Sequence, residues 1–194
     1  MEEIFWKWSF LVLLIGWFFI RSFFGKKSLK AGSKNKKRSY LDQFLLFLNI
    51  ISMIFLPLFV VFTTKLDFAS MGLPDIVRWA ALIIYALNLV FFVWCHKALG
   101  ENWSNALEIK KDHKLVQSGP YKRIRHPMYL HFWLLIASQG LLLDNWIVLA
   151  YGILAYGILY FLRVAKEEEM MIEEFGEKYK EYMKRTGRLF PKIK

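Results

Sequence analysis

Length, composition and charge restrict this chain to a few classes of protein. Its 194 residues are 56% hydrophobic and 18% aromatic, yet the formal net charge is +11, so apolar and basic residues must be segregated along the chain. Such hydrophobicity excludes intrinsic disorder, and the long apolar blocks argue against a soluble nucleic-acid-binding protein. The single cysteine, Cys95, forms no internal disulfide and no CxxC motif, so we predict no metal site.

Five apolar blocks approach the roughly 17–25 residues with which a helix crosses a bilayer core. In chain order they cover residues 4–20, 44–62, 79–95, 128–143 and 146–162. The first block follows Glu2 and Glu3 rather than basic residues, which favours a retained span over a cleaved signal peptide. Pro57 lies inside the second block and predicts a kink. Only Asp144 and Asn145 separate the last two blocks, which predicts a tight antiparallel hairpin.

The distribution of basic residues predicts how these spans are oriented. Of the 27 Lys and Arg residues, 24 fall in residues 21–38, in residues 97–125 and in the tail from residue 163. The positive-inside rule then places the N-terminus outside and both loops and the C-terminus in the cytoplasm. The basic run at residues 26–38 is best explained as a topology signal that contacts lipid headgroups. We therefore predict an all-α, multi-pass membrane protein of five spans, with residues 1–194 forming one membrane domain.

The tail from Lys166 to Arg185 is too polar to be a sixth span. The residues that recur at helical spacing, opposite Glu and Lys residues, are Met171, Phe175, Tyr179 and Tyr182. This pattern is typical of an amphipathic helix, which lies on the membrane or packs on the bundle.

Three polar clusters lie on the predicted cytoplasmic side. They are residues 113–121, residues 125–129 at the start of the fourth span, and Arg163 with Glu167 and Glu168 where the fifth span ends. Because the fourth and fifth spans form a hairpin, the second and third clusters must be neighbours. Ionisable residues at the edge of a membrane usually serve a function, so we interpret this end of the hairpin as a site.

Two motifs in this region point to a family. Residues 113–129 follow the pattern H-x-L-V-x-x-G-P-Y-x-x-x-R-H-P-x-Y, and Glu167-Glu168 are followed by F-G-x-x-Y-x-x-Y from Phe175 to Tyr182. Together these motifs resemble the isoprenylcysteine carboxyl methyltransferase family, from Lys110 to the end of the chain. R-H-P-x-Y alone is less specific, since membrane sterol reductases and phospholipid methyltransferases have similar C-terminal segments.

The resemblance implies an integral-membrane methyltransferase. Its donor would be S-adenosylmethionine, its product S-adenosylhomocysteine, and its acceptor the carboxylate of a prenylcysteine or similar lipophilic molecule that enters from the bilayer. The cofactor would bind in a cytoplasmic pocket over the last two spans, formed by residues 97–127 and 163–194. The positions that match the family's cofactor site are His113, Leu115, Val116, Gly119, Tyr121, His126, Pro127, Tyr129 and Glu167. His131 departs from the small residue of many relatives, and its ring would narrow a lipid channel.

A carboxylate acceptor limits the chemistry that the site must supply. The acceptor is already ionised at neutral pH, so it needs placement and desolvation rather than a general base. Arginine is the natural clamp for a carboxylate. Arg163, at the apolar edge, is the first candidate and Arg125 the second, and Glu167 completes the predicted catalytic set. For the cofactor, our hypothesis is that His126 and backbone N–H groups near Pro127 hold its carboxylate, while Glu167 binds its amine or ribose.

Three other functions stay open at this point. A phospholipid methyltransferase would use the same donor with an amine acceptor. A sterol or isoprenoid reductase would use NADPH, whose 2′-phosphate Lys122 and Arg123 could contact. A non-catalytic membrane scaffold would use the polar clusters only to pair with each other.

Overall fold

The structure is a computed structural model that describes residues 2–29, 39–100 and 114–192. Within those ranges all the secondary-structure elements are helices or short helical turns, which confirms the predicted all-α class. The helices are α1 (Glu3–Leu29), α2 (Tyr40–Ile50), α3 (Leu56–Phe62), α4 (Asp75–Leu99), α5 (Pro127–Leu142), α6 (Trp146–Phe175) and α7 (Glu177–Arg185). A π-helical turn, Ile51–Phe55, joins α2 to α3, and short 3₁₀ turns cover Asp67–Ala69 and Gly119–Lys122.

Among the described residues, four helical segments are long and apolar enough to cross a membrane. They are Glu3–Gly25, Tyr40–Phe62, Asp75–Leu99 and Trp146–Phe175. They coincide with four of the five predicted spans. The other predicted span, residues 128–143, corresponds to α5, whose 16 residues rise only about 24 Å. This is short of a bilayer core of about 30 Å, so the count of five is not confirmed.

The short helix α5 lies at the centre of the bundle. It packs against α4 and α6 and also contacts α1. Its Leu135 belongs to one hydrophobic core with Phe10 of α1, Tyr85 of α4 and Tyr156 of α6. Because neighbouring helices cover α5, a polar side chain such as Gln139 is buried in protein and does not meet lipid.

The predicted disturbance at Pro57 takes the form of the π-helical turn that precedes it. Proline lacks the N–H that an α-helix would direct to the carbonyl of residue 53. Gln139 of α5 compensates, because its Nε2 donates to the Met53 carbonyl at 3.2 Å. The central helix thereby satisfies a backbone group that has no water available at this depth.

The connection between α5 and α6 forms the predicted hairpin. Asp144 has a φ of 51°, in the left-handed region that Asp tolerates better than most residues. The Asn145 side chain accepts a hydrogen bond from the Val148 N–H at 3.1 Å and so caps α6. The two helices then approach closely, since a Cβ on Gly140 would lie 2.6 Å from the Cβ of Leu149.

The C-terminal segment differs from the prediction of a separate helix beginning at Lys166. Helix α6 continues without a break to Phe175, and Gly176, with a φ of 55°, ends it. The positive φ is accessible to glycine at little cost. Helix α7 then packs on the bundle, because Tyr179 and Tyr182 are each only 2% exposed. This resolves the choice between membrane and bundle in favour of the bundle.

Candidate active site

The start of α5 and the last turns of α6 lie side by side at one end of the bundle. Pro127 is the first residue of α5, a position where its missing N–H leaves no bond unmade. His126 precedes it and lies against Glu167 and Glu168 of α6. Because the hairpin is antiparallel, residues 42 positions apart meet here.

Glu168 is the acceptor at the centre of this cluster. Its Oε1 accepts from Arg125 Nε at 3.0 Å and lies 3.2 Å from His126 Nε2. Its Oε2 accepts from Arg188 Nε at 3.0 Å and from Arg188 Nη2 at 2.6 Å. The Glu168 side chain is only 5% exposed, and a carboxylate can be buried this deeply only with such compensation.

The neighbouring Glu167 has a different environment. Its Oε2 accepts from the Tyr129 hydroxyl at 2.8 Å, and its Oε1 lies 3.8 Å from His126 Nδ1. Its side chain is 39% exposed, so it retains capacity to bind a further donor. Both ring nitrogens of His126 therefore face glutamate oxygens, and its expected role of holding a cofactor carboxylate stays a prediction.

Arg163 lies one helical turn before Glu167, half-buried on α6. Seven residues before it on α6, the Tyr156 hydroxyl donates to the Tyr129 carbonyl at 3.2 Å. Phe161, two residues earlier, is strongly exposed. Arg163 therefore lies where the apolar face of α6 ends and the charged cluster begins.

The loop before α5 packs closely against α4 at Gly119. Gly119 has a φ of 57°, and a Cβ there would lie 3.1 Å from Trp94 Nε1 and 3.3 Å from the Cβ of Ala98. Only glycine combines that backbone conformation with so close an approach. Leu115 and Val116, just before it, are half-buried.

Helix α7 fixes the same loop through a tyrosine. The Tyr182 hydroxyl donates to the Tyr121 carbonyl at 2.5 Å, and burial raises the pKa of Tyr182 to about 12, so it stays a donor at neutral pH. Tyr121 is buried as well, and burial raises its pKa well above the ordinary value. In the part of the chain that the structure describes, the Tyr121 hydroxyl has no hydrogen-bond partner.

The segment after α7 docks on the same loop through backbone hydrogen bonds. The N–H of Arg125 donates to the Gly187 carbonyl at 2.8 Å, and the N–H of His126 donates to the Arg188 carbonyl at 3.0 Å. The Arg125 guanidinium also donates to the carbonyls of Met183, at 3.2 Å, and Thr186. Arg125 is thus a residue that joins α5, α6 and the tail.

His131 lies outside this cluster. Trp17 of α1 donates to its Nε2 at 3.2 Å, which leaves the proton on Nδ1, 3.1 Å from the Asn88 side-chain oxygen. Its ring also stacks on Phe92 with 3.9 Å between centroids. The ring joins α5 to α1 and α4, and its effect on a lipid channel stays a prediction.

The structure brings most of the predicted site residues to one end of the bundle. The α5–α6 cluster contains Arg125, His126, Pro127, Tyr129, Arg163 and Glu167, and the adjoining loop contains Leu115, Val116, Gly119 and Tyr121. His113 lies outside the described residues. Within the described ranges, no three His, Cys, Asp or Glu side chains are arranged to hold a metal ion.

Sequence reasoning missed the roles of three residues in this site. Glu168 was part of the motif, but which of two adjacent glutamates faces inward depends on helix phase. Arg188 is an isolated cation beyond α7, and no periodicity marks it. Tyr182 belonged to the amphipathic pattern, which predicted its burial but not its bond to Tyr121.

Fold and site together define a multi-pass helical membrane protein with a charged cluster at one end of its last hairpin. Residues 79–173 match the isoprenylcysteine carboxyl methyltransferase family. This segment is just under half of the chain and holds most of α4, all of α5 and most of α6, and it is similar to that family.

Two curated proteins illustrate what the chain is similar to. The protein-S-isoprenylcysteine O-methyltransferase of Schizosaccharomyces pombe is 30% identical over 96 residues, 48% of this chain and 41% of the relative. The cobalt-zinc-cadmium resistance protein CzcN of Cupriavidus metallidurans is 33% identical over 84 residues, 43% of this chain and 38% of the relative. The chain therefore spans about two fifths of the length of these relatives.

A solved structure shares the fold. It is that of a eukaryotic intramembrane Ras methyltransferase, an isoprenylcysteine carboxyl methyltransferase, with a TM-score of 0.58 and 22% sequence identity. The similarity covers 80% of this chain and 55% of the other.

Proposed function

We propose that this protein transfers a methyl group from S-adenosylmethionine to the carboxylate of a prenylcysteine or a similar lipophilic acceptor. The observation that carries the proposal is the meeting of Arg163, Glu167, Tyr129 and His126 where the apolar hairpin ends. A lipid-borne acceptor needs a polar site at the membrane edge, and this arrangement supplies one. The cluster lies on the segment that matches the family.

The residues of this end fit the methyl donor. The half-exposed Glu167 carboxylate suits its amine, and the buried Tyr121 hydroxyl, which no described residue pairs, offers a hydrogen bond to its nucleoside part. Leu115 and Val116 supply an apolar surface for adenine. Tyr129 lies beside Glu167, where an aromatic face would attract a sulfonium cation. When bound, S-adenosylmethionine would supply an electrophilic methyl group.

The protein's own task is then to hold and desolvate the acceptor. A carboxylate needs no proton removed at neutral pH, so the site can work without a general base. Arg125 and Arg188 both pair with Glu168 at this end, and Arg163 lies one helical turn before Glu167. We assign Arg163 to the acceptor carboxylate, because it lies at the lipid-facing edge and its guanidinium can make two parallel hydrogen bonds.

We also propose that the charged end faces the cytoplasm and that the N-terminus lies outside. Glu3 pairs with Arg78, whose Nε donates to the Leu142 carbonyl at 3.1 Å. The start of α1 and the hairpin turn thus share one end of the bundle, opposite the site. Helices α1 and α4 therefore end on the side of the site, where the basic tail also lies, as the positive-inside rule requires of the cytoplasmic side.

Ligand binding to the purified protein in detergent tests the proposal against its rivals. S-adenosylhomocysteine should raise the melting temperature and NADPH should not, because binding to the folded state alone stabilises it. Farnesylcysteine and geranylgeranylcysteine derivatives should accept labelled methyl, with phosphatidylethanolamine as the parallel amine acceptor. Stabilisation by NADPH would instead favour a reductase, and label only on phosphatidylethanolamine would favour a phospholipid methyltransferase. No binding of either nucleotide would favour a scaffold.

A further inference from the structure

The Glu168 carboxylate connects the C-terminal segment to the predicted cofactor residues. One oxygen, Oε2, receives both donors of Arg188, while the other, Oε1, faces Arg125 and His126. His126 in turn faces Glu167, and Glu167 accepts from Tyr129. A continuous series of polar contacts therefore runs from Arg188 to Glu167.

The Arg188 side chain is not what docks the segment that carries it. Docking is supplied by backbone bonds from residues 125 and 126 to the carbonyls of residues 187 and 188, and by the bond from the Gly187 N–H to the Arg123 carbonyl at 3.2 Å. The Arg125 guanidinium adds bonds to the carbonyls of Met183 and Thr186. None of these bonds uses the Arg188 guanidinium. Within the part of the chain that the structure describes, the guanidinium donates its hydrogen bonds to Glu168.

Removing that guanidinium would leave a buried oxygen without a donor. The Glu168 side chain is 5% exposed, and an unpaired carboxylate oxygen in such a place is strongly unfavourable. The carboxylate would turn toward Arg125, the cation that remains. This rotation would move Oε1 away from His126 Nε2 and release the ring that faces Glu167.

We propose that Arg188 is a positioning residue for the donor site, acting through Glu168 and His126 on Glu167. The expected effect on donor binding rests on the function proposed above. The expected effect on the position of the His126 ring does not. The proposal adds the segment beyond α7 to the functional part of the chain. In this proposal Arg188 acts through Glu168 and has no contact of its own with donor or acceptor, so its loss should change donor binding more than the chemical step.

The variants Arg188→Gln, Arg188→Lys and Lys192→Gln separate positioning from docking. Arg188→Gln removes the charge and the paired donors, whereas Arg188→Lys keeps the charge with one donor group. Lys192 is an exposed cation of the same segment, and its ammonium contacts the carbonyls of Met183 and Lys184 rather than Glu168. Lys192→Gln is therefore the matched control.

Steady-state kinetics give the first measurement. Arg188→Gln should raise the KM for S-adenosylmethionine about 10-fold or more with a much smaller change in kcat, as loss of an orienting contact does elsewhere. Arg188→Lys should recover part of that affinity, and Lys192→Gln should stay near the wild type. Equal melting temperatures of Arg188→Gln and Lys192→Gln would show that docking is intact.

Histidine ¹⁵N NMR in detergent gives a second measurement that needs no donor. The chain has four histidines, and a His126→Asn variant assigns the His126 signals. Arg188→Gln should shift those signals and Lys192→Gln should not. Unchanged His126 signals in Arg188→Gln would overturn the proposal, as would an equal loss of stability and activity in both variants. If wild-type protein fails to bind S-adenosylmethionine in calorimetry, the proposed function fails, while the NMR comparison still decides the positioning role.

Discussion

The two ends of the bundle each bury an arginine, but they use it differently. At the hairpin-turn end, Arg78 pairs with Glu3, donates to the Leu142 carbonyl and lies 4.8 Å from the centre of the Trp6 ring. These contacts join the start of α4, which carries Arg78, to the start of α1 and the end of α5. At the other end, Arg125 pairs with a glutamate that also binds a histidine and a second arginine.

The difference teaches what separates a structural charge from a functional one in a membrane protein. Arg78 connects the ends of three helices, and the contacts described for it are all with residues near those helix ends. The opposite end has polar groups that are available to bind a ligand. They include the half-exposed carboxylate of Glu167 and the buried hydroxyl of Tyr121, which no described residue pairs. Unused binding capacity at a membrane edge indicates a site.

The largest effect is expected at Arg163. Arg163→Ala should lower turnover about 100-fold or more, because it removes the proposed two-point clamp on the acceptor carboxylate. Donor affinity, measured by calorimetry, should change little. Arg163→Lys should restore only part of the turnover. The exposed neighbour Lys166 provides the control Lys166→Ala, and equal losses in the two alanine variants would contradict the assignment.

The next effect concerns donor affinity. Glu167→Ala should weaken S-adenosylmethionine binding about 10-fold or more, because a charge-assisted hydrogen bond to the amine is lost. Calorimetry in detergent measures this directly. Glu169→Ala, which removes an exposed carboxylate two residues away, should bind as the wild type does. Full donor affinity in Glu167→Ala would show that Glu167 is not a donor ligand.

At the opposite end, substitution should affect stability and spare activity. Arg78→Leu should cost about 1–3 kcal/mol of unfolding free energy, because it leaves the buried Leu142 carbonyl without its donor. Glu3→Gln should cost less than about 1 kcal/mol, since the Glu3 side chain is 63% exposed. Thermal unfolding and the kcat of the folded fraction measure both. A kcat lowered as much by Arg78→Leu as by Arg163→Ala would remove the distinction between the ends.

An effect smaller than that of Arg78→Leu is expected in the middle of the bundle. Gln139→Leu should cost about 1–2 kcal/mol, because it removes the side-chain donor to the Met53 carbonyl, four residues before Pro57. In a Pro57→Ala background an N–H becomes available four residues from that carbonyl, so the same substitution should cost less. The coupling in this double-mutant cycle tests the pairing. Full additivity would mean that Gln139 does not compensate for Pro57.

The sequence predicted the hairpin and its consequence because both depend on local signals. Two polar residues between two apolar blocks can only form a tight turn, and an antiparallel pair must then bring residues 125–126 beside the end of α6. Pro127 marked the helix start correctly. Hydrophobic length also predicted the other membrane-crossing helices, whose described bounds extend beyond the predicted ones by up to 13 residues at one end.

Other features depend on packing that periodicity does not encode. The central position of α5 explains why a helix of 16 residues buries Gln139 and His131, but sequence length alone predicted a full span. Glu168 rather than Glu167 became the main acceptor because helix phase turns it inward. The sequence contains no indication of a role for Arg188, because that role depends on the backbone pairing of the tail with the loop before α5.

The most direct test of the account is the chemical form of the transferred methyl group. Purified protein is incubated with labelled S-adenosylmethionine and a farnesylcysteine acceptor, and the product is treated with alkali. A methyl ester on the acceptor carboxylate should release its label as methanol, and Arg163→Ala should release far less. Label that stays bound after alkali, or wild-type protein that transfers none, would contradict the assignment of carboxylate methylation to this end of the hairpin.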